Sequence, residues 1–246
     1  SRIRGTFRIQ RIRNRVLLAM ITVSIPSLII LGIISFNIAN NTILDINTRM
    51  TRDNLRTSSN MADLLFNSIN NLNRAFVLDN ILRYQLQKSN EGETQTDVHS
   101  QMQRILNNNS SNTTYLDSVC LVNLNNDIFC IGRSDDTGRY SPAEWRDKIR
   151  REDWYLRMVD GMGRTVYVER NVIEDDPRTF SVVKLFRSAD TIDGELIGYL
   201  FMNISKSIFE DIFNSSQNAL KSIAVVLDTS GDRPTLIYRS EAVPEL

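Results

Sequence analysis

The distribution of apolar residues changes along the chain, and each pattern predicts a different element. Residues 16–36, VLLAMITVSIPSLIILGIISF, contain no charged side chain. From Thr42 to about Gln87 the chain has neither Gly nor Pro. In that stretch apolar residues recur at a spacing of three or four, at Leu55, Ala62, Leu65, Ile69, Leu72 and Phe76. This spacing puts them on one face of a helix, so we predict a long amphipathic helix over 42–88 directly after the apolar segment.

The apolar stripe of this long helix has two candidate partners. One is the globular part of the same chain, and the other is a twin helix in a homodimer. The first half of the helix is polar, which weakens the coiled-coil alternative. At a rise of about 1.5 Å per residue such a helix reaches roughly 65 Å, so we expect it to be the spine of an elongated module.

The segment YLDSVCLVNLNNDIFCIG, residues 115–132, changes to a strand-like pattern. Two apolar runs flank Asn125 and Asn126, residues that accept turn geometry, so a β-hairpin is predicted. With a loop of Leu124 to Asn126, residues whose numbers sum to 250 face each other. The only two cysteines, Cys120 and Cys130, then lie opposite one another. A disulfide between them is the prediction for an oxidising exterior, and two small buried apolar residues are the alternative.

The remaining chain alternates helical and strand-like runs. Ser141, Pro142 and Glu144 are typical of a helix start, and that helix is predicted to run through Trp154 to about Gly161. Three β-rich runs follow, then an amphipathic helix with Ser205 as its candidate cap. Residues 222–240 read as a further strand, turn and strand that open a second sheet. The order predicts an α+β fold around an antiparallel sheet.

Charge fixes the expected orientation of the apolar segment. Residues 1–15 contain no acid and six arginines, Arg2, Arg4, Arg8, Arg11, Arg13 and Arg15. We therefore expect a membrane-spanning helix over 16–38, with the basic arm 1–15 cytoplasmic and everything after about residue 38 extracellular. A signal peptide is the alternative, but its apolar region is usually shorter. Without the arm, 23 basic and 29 acidic residues remain, which argues against a nucleic-acid partner.

Candidate chemistry is sparse. The single histidine, His99, lies in a polar helix, and no catalytic or phosphate-binding motif accompanies it. We predict no catalytic residue, metal or cofactor for this chain. A hydrolase that uses two carboxylates is a minor alternative. Aromatic and basic residues concentrate in one region, and such groups build small-molecule pockets: Trp145, Arg146, Arg151, Trp154, Tyr155, Tyr167, Arg170 and Arg187.

Several segments together resemble a known family. SIPSLIILGIISFNIANNTI, the long helix, DWYLRMVDGMGRTVYV, and LIGYLFMNISKSIFEDIF followed by SIAVVLDTSGD are similar to the extracellular double Cache module with its first transmembrane helix. The likeness is greatest to YesM-type bacterial sensor histidine kinases. It implies two PAS-like lobes on the spine helix, the distal lobe over 90–205, a connecting helix over 206–218, and a proximal lobe that begins at 219–246 and is incomplete here.

The resemblance also implies a site and a function. Ligands of Cache modules bind between the Trp-Tyr helix and the sheet, which carries over to Trp154, Tyr155 and, by strand position, Tyr167. We add Arg151, Arg187 and Trp145 as candidate ligand contacts. The amino-acid-binding subgroup has Arg two residues before the Trp, whereas this chain has Glu152. An amino-acid ligand is therefore disfavoured at this place.

The leading hypothesis is the extracellular sensing region of a membrane-bound signal transducer, most simply a two-component histidine kinase. A small molecule, an oligosaccharide or an extracellular binding protein would be its signal. The protein would lie in the lipid bilayer as a homodimer. The same region on a chemoreceptor or on a membrane-bound AraC-type transcription regulator, and a membrane-anchored adhesion protein, are the alternatives.

Overall fold

The computed structural model describes residues 2–92, 96–132, 142–160, 164–188, 194–214, 225–229 and 234–240. The predicted cap at Ser141, the predicted helix end at Gly161 and residues 241–246 lie outside these ranges. Helix α1 is Arg2–Leu78. The chain divides into two compact units, Ser1–Arg56 and Thr57–Leu246.

In the first unit, α1 carries an apolar segment that is exposed throughout. Its large side chains between Leu17 and Ile38 are about half to two-thirds accessible, and no part of its most apolar window is buried in the protein. A core helix of a soluble protein would bury most of such a face. By length and composition the segment can cross a membrane.

The predicted single helix over 42–88 is two helices, because Asp79 interrupts it. Asp79 adopts an extended backbone, and its carboxylate accepts hydrogen bonds from the backbone N–H groups of Ile81 and Leu82 at 2.9 Å each. This is an N-cap interaction, which begins a new helix. α1 therefore ends at Leu78, and α2 is Asn80–Asn90. The next helix, α3, is Thr96–Ser110.

The second unit is built on a five-stranded antiparallel sheet with the order β2-β1-β5-β4-β3. Its strands are β1 Leu116–Asn123, β2 Ile128–Gly132, β3 Val166–Val168, β4 Thr179–Arg187 and β5 Leu196–Ser205. β5 is the central strand, paired with β1 on one side and with β4 on the other. The predicted α+β fold around an antiparallel sheet is confirmed.

Alternate side chains of the sheet enter two separate cores. On one face, Leu200 and Met202 of β5 pack with Leu65, Ile69 and Phe76 of α1 and with apolar residues of α2 and α3. On the other face, Tyr199 and Phe201 pack with helix residues near Trp154. A strand sends successive side chains to opposite faces, so each face meets a different partner. The α1 stripe thus faces the globular part of its own chain, except that Leu55 is exposed.

Gly198 explains how closely α2 can approach β5. A Cβ added at Gly198 would overlap the carbonyl oxygen of Val122 and come within 2.9 Å of Leu86 on α2. Any other residue would push the strand or the helix away. The glycine in the sequence LIGYLF therefore has a packing role.

The register predicted for the first hairpin is confirmed. Ser118 faces Gly132, Cys120 faces Cys130 and Val122 faces Ile128. A disulfide joins Cys120 to Cys130, and it ties edge strand β2 to β1. Asn126 has a positive φ of 70° at the turn, a conformation that asparagine tolerates better than most residues.

The predicted helix from Pro142 through Trp154 is interrupted. α4 is Pro142–Ile149 and α5 is Asp153–Asp160. Between them, the N–H groups of Arg151 and Glu152 donate to carbonyls three residues back. These tighter bonds replace the α-helical ones and separate the two helices.

The end of the chain follows the predicted order. α6 is Ser207–Asn214, and the N–H of Ser207 donates to the Ser205 hydroxyl at 3.4 Å. β6, Val225–Asp228, and β7, Thr235–Arg239, form a separate two-stranded antiparallel sheet. The two strands predicted within 222–240 are confirmed, and the predicted turn between them lies outside the described residues.

A chain of buried polar side chains crosses three strands on the α5 side of the sheet. Asn203 of β5 accepts a hydrogen bond from the Ser181 hydroxyl of β4 at 2.5 Å and donates to the Ser118 hydroxyl of β1 at 2.8 Å. Ser181 also accepts from the N–H of Val172 at 3.0 Å. Ser118, Ser181 and Asn203 are all buried, so these bonds satisfy groups that water cannot reach.

Candidate functional site

Trp154 anchors α5 against the sheet. Trp154 and Met158 are one helical turn apart and are both buried, because residues four apart share a helix face. The indole packs edge-on against the Phe201 ring, with centroids 5.9 Å apart, and against Tyr155 at 6.0 Å. Only 3% of Trp154 is accessible. It is thus a core residue at the back of any site on this face.

Tyr155 and Tyr199 place two hydroxyl groups together on the same face. Their oxygens are 3.4 Å apart and their ring centroids 6.1 Å. Burial is the main reason that the pKa of Tyr199 is raised; the Tyr155 hydroxyl adds to this effect and the charge of Arg150 opposes it. Tyr155 is only half-buried, so this pair gives the apolar wall a polar group that a ligand could contact.

Sequence reasoning missed Tyr199. The signal was present in LIGYLFMNIS, where Tyr199 and Phe201 alternate with Leu200 and Met202. Strand alternation puts the two aromatic residues on one face. The sequence did not reveal that this face is the one covered by α5.

The structure does not bring Tyr167 to Trp154 and Tyr155. Tyr167 lies on the opposite face, where its ring packs edge-on against Phe66 of α1 at 5.6 Å and its hydroxyl donates to Asn70 at 3.3 Å. Its pKa is raised, first by burial and then by the charge of Asp228, while the bond to Asn70 works in the opposite direction. The pocket role was predicted only from the position of Tyr167 on its strand. In β3 the Tyr167 side chain lies on the α1 face of the sheet, whereas Trp154 packs on the other face.

The basic candidates are dispersed. Arg151 is exposed. The Arg187 guanidinium donates to the Gly194 carbonyl at 2.8 Å, across the connection between β4 and β5. The side chains of Trp145 and Arg146 lie outside the described residues. Of the six predicted ligand contacts, the described residues therefore bring only Trp154 and Tyr155 together.

Glu152 has a partner that its position in the sequence did not indicate. Arg170 donates to both carboxylate oxygens of Glu152, at 3.0 and 3.1 Å, and pairs with Asp175 at 2.7 Å. Asp175 has a positive φ of 62° within the connection between β3 and β4. Arg170 thus links the beginning of α5 to this connection.

A polar cleft lies at another part of the second unit, and sequence reasoning missed it. It has a volume of about 830 Å³. Its walls come from the connection before β4, the end of β5, the first turn of α6, strand β7 and the beginning of β1. Its charged lining residues are Asp117, Glu174, Asp176, Arg178, Lys206, Glu210 and Arg239. They are far apart in the sequence, which is why no local pattern indicated them.

The cleft is electrostatically mixed. Arg178 binds Asp176 through three hydrogen bonds of 2.9–3.1 Å, and this is the main reason that the pKa of Asp176 is lowered. Burial lowers the pKa of Lys206, while Glu169 and Asp176 act in the opposite direction. A glycosidase acid needs a raised carboxyl pKa, and that of Asp176 is moved the other way. Within the described ranges, no group of three or more His, Cys, Asp or Glu residues could hold a metal ion.

Comparison with known proteins finds similarity only among solved structures. No family model matches the chain, and neither does any curated protein. The ligand-binding domain of the Campylobacter jejuni chemoreceptor Tlp3 in complex with L-valine is 19% identical, over 74% of this chain and 67% of that chain, with a TM-score of 0.48. The ligand-binding domain of the Pseudomonas aeruginosa amino acid chemoreceptor PctC in complex with GABA is 16% identical, over 75% and 73%, with a TM-score of 0.44.

An extracellular ligand binding receptor from Desulfohalobium retbaense is 13% identical, over 74% of this chain and 30% of that chain, with a TM-score of 0.47. The chain spans about two thirds of the Tlp3 domain. These are similarities in the course of the backbone.

Proposed function

We propose that this chain is the extracellular ligand-sensing region of a membrane-bound bacterial signal transducer. The observation that carries the proposal is α1. One part of this helix presents a fully exposed apolar segment after residue 16, and another part supplies Leu65, Ile69 and Phe76 to the core of the sheet-bearing unit. Exposed apolar surface of this extent is costly in water and favourable in lipid. The helix is thus an anchor and a structural part of the domain.

The proposed orientation has the basic arm in the cytoplasm and the sheet-bearing unit outside. The arginine-rich arm, including Arg11, Arg13 and Arg15, supports it, and the disulfide between Cys120 and Cys130 suits an oxidising exterior. Cells expressing an Asn108→Cys variant, exposed on α3, should be labelled by a membrane-impermeant maleimide. An Arg11→Cys variant should be labelled only after lysis. The reverse pattern would refute the orientation.

The proposed ligand site is the α5 face of the sheet. It is supported by the half-buried Tyr155 hydroxyl next to that of Tyr199, above the apolar wall formed by Trp154 and Phe201. A small-molecule pocket combines such walls with a few aimed polar groups. A ligand that contacts α5 and the sheet together would change their spacing, and this change is the proposed input signal.

Ligand binding is tested with the full chain in nanodiscs. Thermal unfolding is measured against a panel of sugars, oligosaccharides, short peptides and amino acids. We expect one class to raise the melting temperature, and Tyr155→Phe or Tyr199→Phe to weaken that shift. Leu156→Ala, an exposed neighbour on α5, is the matched control. A shift that persists in both tyrosine variants, or no shift with any class, would contradict the site.

A homodimer is proposed through a second stripe of α1. This exposed stripe has a spacing of three or four residues and no charged member: Thr57, Met61, Leu64, Ser68, Asn71, Ala75 and Leu78. Leu64 and Leu78 are 68% and 66% accessible. This seam has the periodicity of a helix pair, and it differs from the predicted stripe, which the sheet-bearing unit covers.

Cysteine cross-linking in membranes tests the dimer. Leu64→Cys should form a dimer under mild oxidation. Asp63→Cys lies about 100° around the helix and should not. Equal cross-linking of the two variants would mean random collision and would refute this interface.

A two-component histidine kinase is the proposed output, on the basis of the resemblance to YesM-type kinases. The same sensing region would also suit a chemoreceptor or an AraC-type regulator. The residues that follow this region in the full gene decide. A dimerisation and phosphoacceptor helix with an ATP-binding domain supports the kinase, whereas long heptad helices or a helix-turn-helix pair would replace it.

A further inference from the structure

We propose that the β6–β7 hairpin couples α5 to α1 around the β3 edge of the five-stranded sheet, with Arg157 of α5 as the positioning residue. The coupling would carry the input of the proposed sensing function from the ligand face to the helix that bears the apolar segment. It rests on that function only for its biological role, because the contacts and their test involve no ligand.

The five-stranded sheet separates the two helices. Trp154 and Met158 of α5 pack on one face, whereas Leu65, Ile69 and Phe76 of α1 pack on the other. The strands between them are held by the buried polar chain described above, and such satisfied networks are rigid. At one edge of the sheet a disulfide ties β2 to β1. β3, at the other edge, has only three residues, and β7 lies against it. A change in α5 therefore reaches the α1 face most directly around β3.

The first contact of this path joins α5 to β7. A guanidinium N–H of Arg157 donates to the Thr235 hydroxyl at 2.8 Å. Because the guanidinium is charged, such a bond is roughly twice as strong as a neutral one. Arg157 is half-buried and follows the proposed ligand residue Tyr155 by two positions. A displacement of α5 therefore pulls on the first residue of β7.

The hairpin passes this displacement to β6. Thr235 is paired directly with Asp228, the last residue of β6. The side chains of directly opposed residues lie about 5 Å apart on one face of a sheet. Ile237 and Tyr238 of β7 are buried in the core on the α1 side. Thr235 and Asp228 therefore move together, with the buried part of β7 as their support.

Tyr167 receives the change and is bonded to α1. The charge of Asp228 acts on the Tyr167 hydroxyl and, after burial, is the second reason that its pKa is raised. The same hydroxyl donates to Asn70 of α1 at 3.3 Å, which is longer than the usual O–H···O distance of about 2.7–2.8 Å. A small displacement of Asp228 changes both the charge near this hydroxyl and the strength of its long bond to α1.

Titration of Tyr167 tests the path without a ligand. NMR of the full chain with ¹³C-labelled tyrosine in detergent follows the hydroxyl, and Tyr167→Phe assigns its signal. Asp228→Asn should lower the pKa of Tyr167, because a nearby negative charge is removed. Thr235→Val removes the acceptor of the Arg157 bond without changing any charge. It should also lower the pKa of Tyr167, because the released hairpin lets Asp228 move away. Thr113→Val, which removes another half-buried, hydrogen-bonded hydroxyl just after α3, is the matched control and should leave this pKa unchanged.

A double-variant cycle tests the two ends of the path together. Arg157→Met and Asn70→Leu are compared, singly and combined, by urea unfolding of the full chain in detergent. The two residues belong to helices on opposite faces of the sheet, and changes at distant, independent sites usually add in free energy. Once one end of the path is cut, cutting the other should cost less. The combined rise in the unfolding equilibrium constant should therefore be at least threefold below the product of the two single effects.

Arg187→Met is the matched control for Arg157→Met in this cycle. Arg187 is also half-buried, and it donates a bond of the same length, 2.8 Å, to the Gly194 carbonyl. It lies outside the path. Combined with Asn70→Leu, Arg187→Met should give the full product of the single effects.

Three results would overturn the proposal. They are an unchanged pKa of Tyr167 in either Asp228→Asn or Thr235→Val, an equal change in the threonine control, and the full product in the double-variant cycle. If Arg157→Met unfolds the protein, Thr235→Val takes its place in the cycle. A failure of ligand binding at the α5 face would leave all these results unchanged, so the proposed coupling and the proposed ligand site fail separately.

Discussion

The side chain of Asn203 bonds to strands on both sides of β5, and its removal allows a quantitative prediction for the stability of the sheet. In Asn203→Ala the hydrogen bonds to Ser118 and Ser181 are lost. Each such bond contributes about 1 kcal/mol, and a buried group left without its partner costs about 1–3 kcal/mol. We expect the free energy of unfolding to fall by about 3 kcal/mol. Ser118→Ala removes one of these bonds and should cost about 1–2 kcal/mol.

The second unit has about 190 residues, so 3 kcal/mol corresponds to a decrease in Tm of about 6–12 °C. Urea unfolding of the full chain in detergent gives the free energy directly, with tryptophan fluorescence as the signal, because Trp154 is buried next to Phe201. Asn107→Ala, at an exposed position of α3, is the control and should have no effect.

The reasoning is refuted if Asn203→Ala costs no more than Ser118→Ala. That result would mean that the two bonds of Asn203 are replaced by water or by rearrangement of the sheet. An m-value unchanged among the variants is needed for the comparison, since a changed slope would indicate a different unfolded or native state.

Three further perturbations test other parts of the fold. Asn73 lies on the buried face of α1, and neither its amide nitrogen nor its amide oxygen has a hydrogen-bond partner. Asn73→Leu should therefore raise the free energy of unfolding by about 1–2 kcal/mol, whereas Asn67→Leu, at an exposed position, should not. A loss of stability in Asn73→Leu would contradict this. The pKa of the Tyr167 hydroxyl is raised in the folded protein. Its contribution to the free energy of unfolding is therefore complete below about pH 10 and is lost as the pH rises through the folded-state pKa. Tyr167→Phe should reduce the loss of stability at alkaline pH, and an unchanged alkaline stability profile would count against this. Reduction of the Cys120–Cys130 disulfide should lower the free energy of unfolding by about 2–3 kcal/mol. The stability of the double variant Cys120→Val, Cys130→Val should not change with reductant. An equal loss of stability in both proteins would show that the reductant acts elsewhere.

Periodic elements were predictable from the sequence. The apolar alternation identified β1 and β2, and the predicted loop at Leu124 to Asn126 set their register, with residues whose numbers sum to 250 opposite each other. The stripe through Leu65, Ile69 and Phe76 identified the face of α1 that the sheet covers. In each case a regular pattern repeats over enough residues to determine one geometry.

Single-residue and long-range features were not predictable in the same way. Asp79 ends α1 through two short hydrogen bonds, and an Asp inside an otherwise helical pattern is compatible with an uninterrupted helix. Tyr167 was placed in the wrong setting because β3 has only three residues, too few for a visible alternation. The cleft joins β1, β4, β5, α6 and β7, and such an arrangement exists only after the strands have paired.

The connection between β3 and β4 has a consequence for genetic screens of signalling. Arg170 in this connection, itself paired with Asp175, binds Glu152 at the start of α5, two residues before Trp154. A few residues later, Asp176 lines the cleft. Under the proposed sensing function, a selection for altered responses is expected to recover substitutions in this short connection whether the stimulus binds at α5 or elsewhere. Such hits are assigned to a site only when each is paired with a change confined to α5 or to α6.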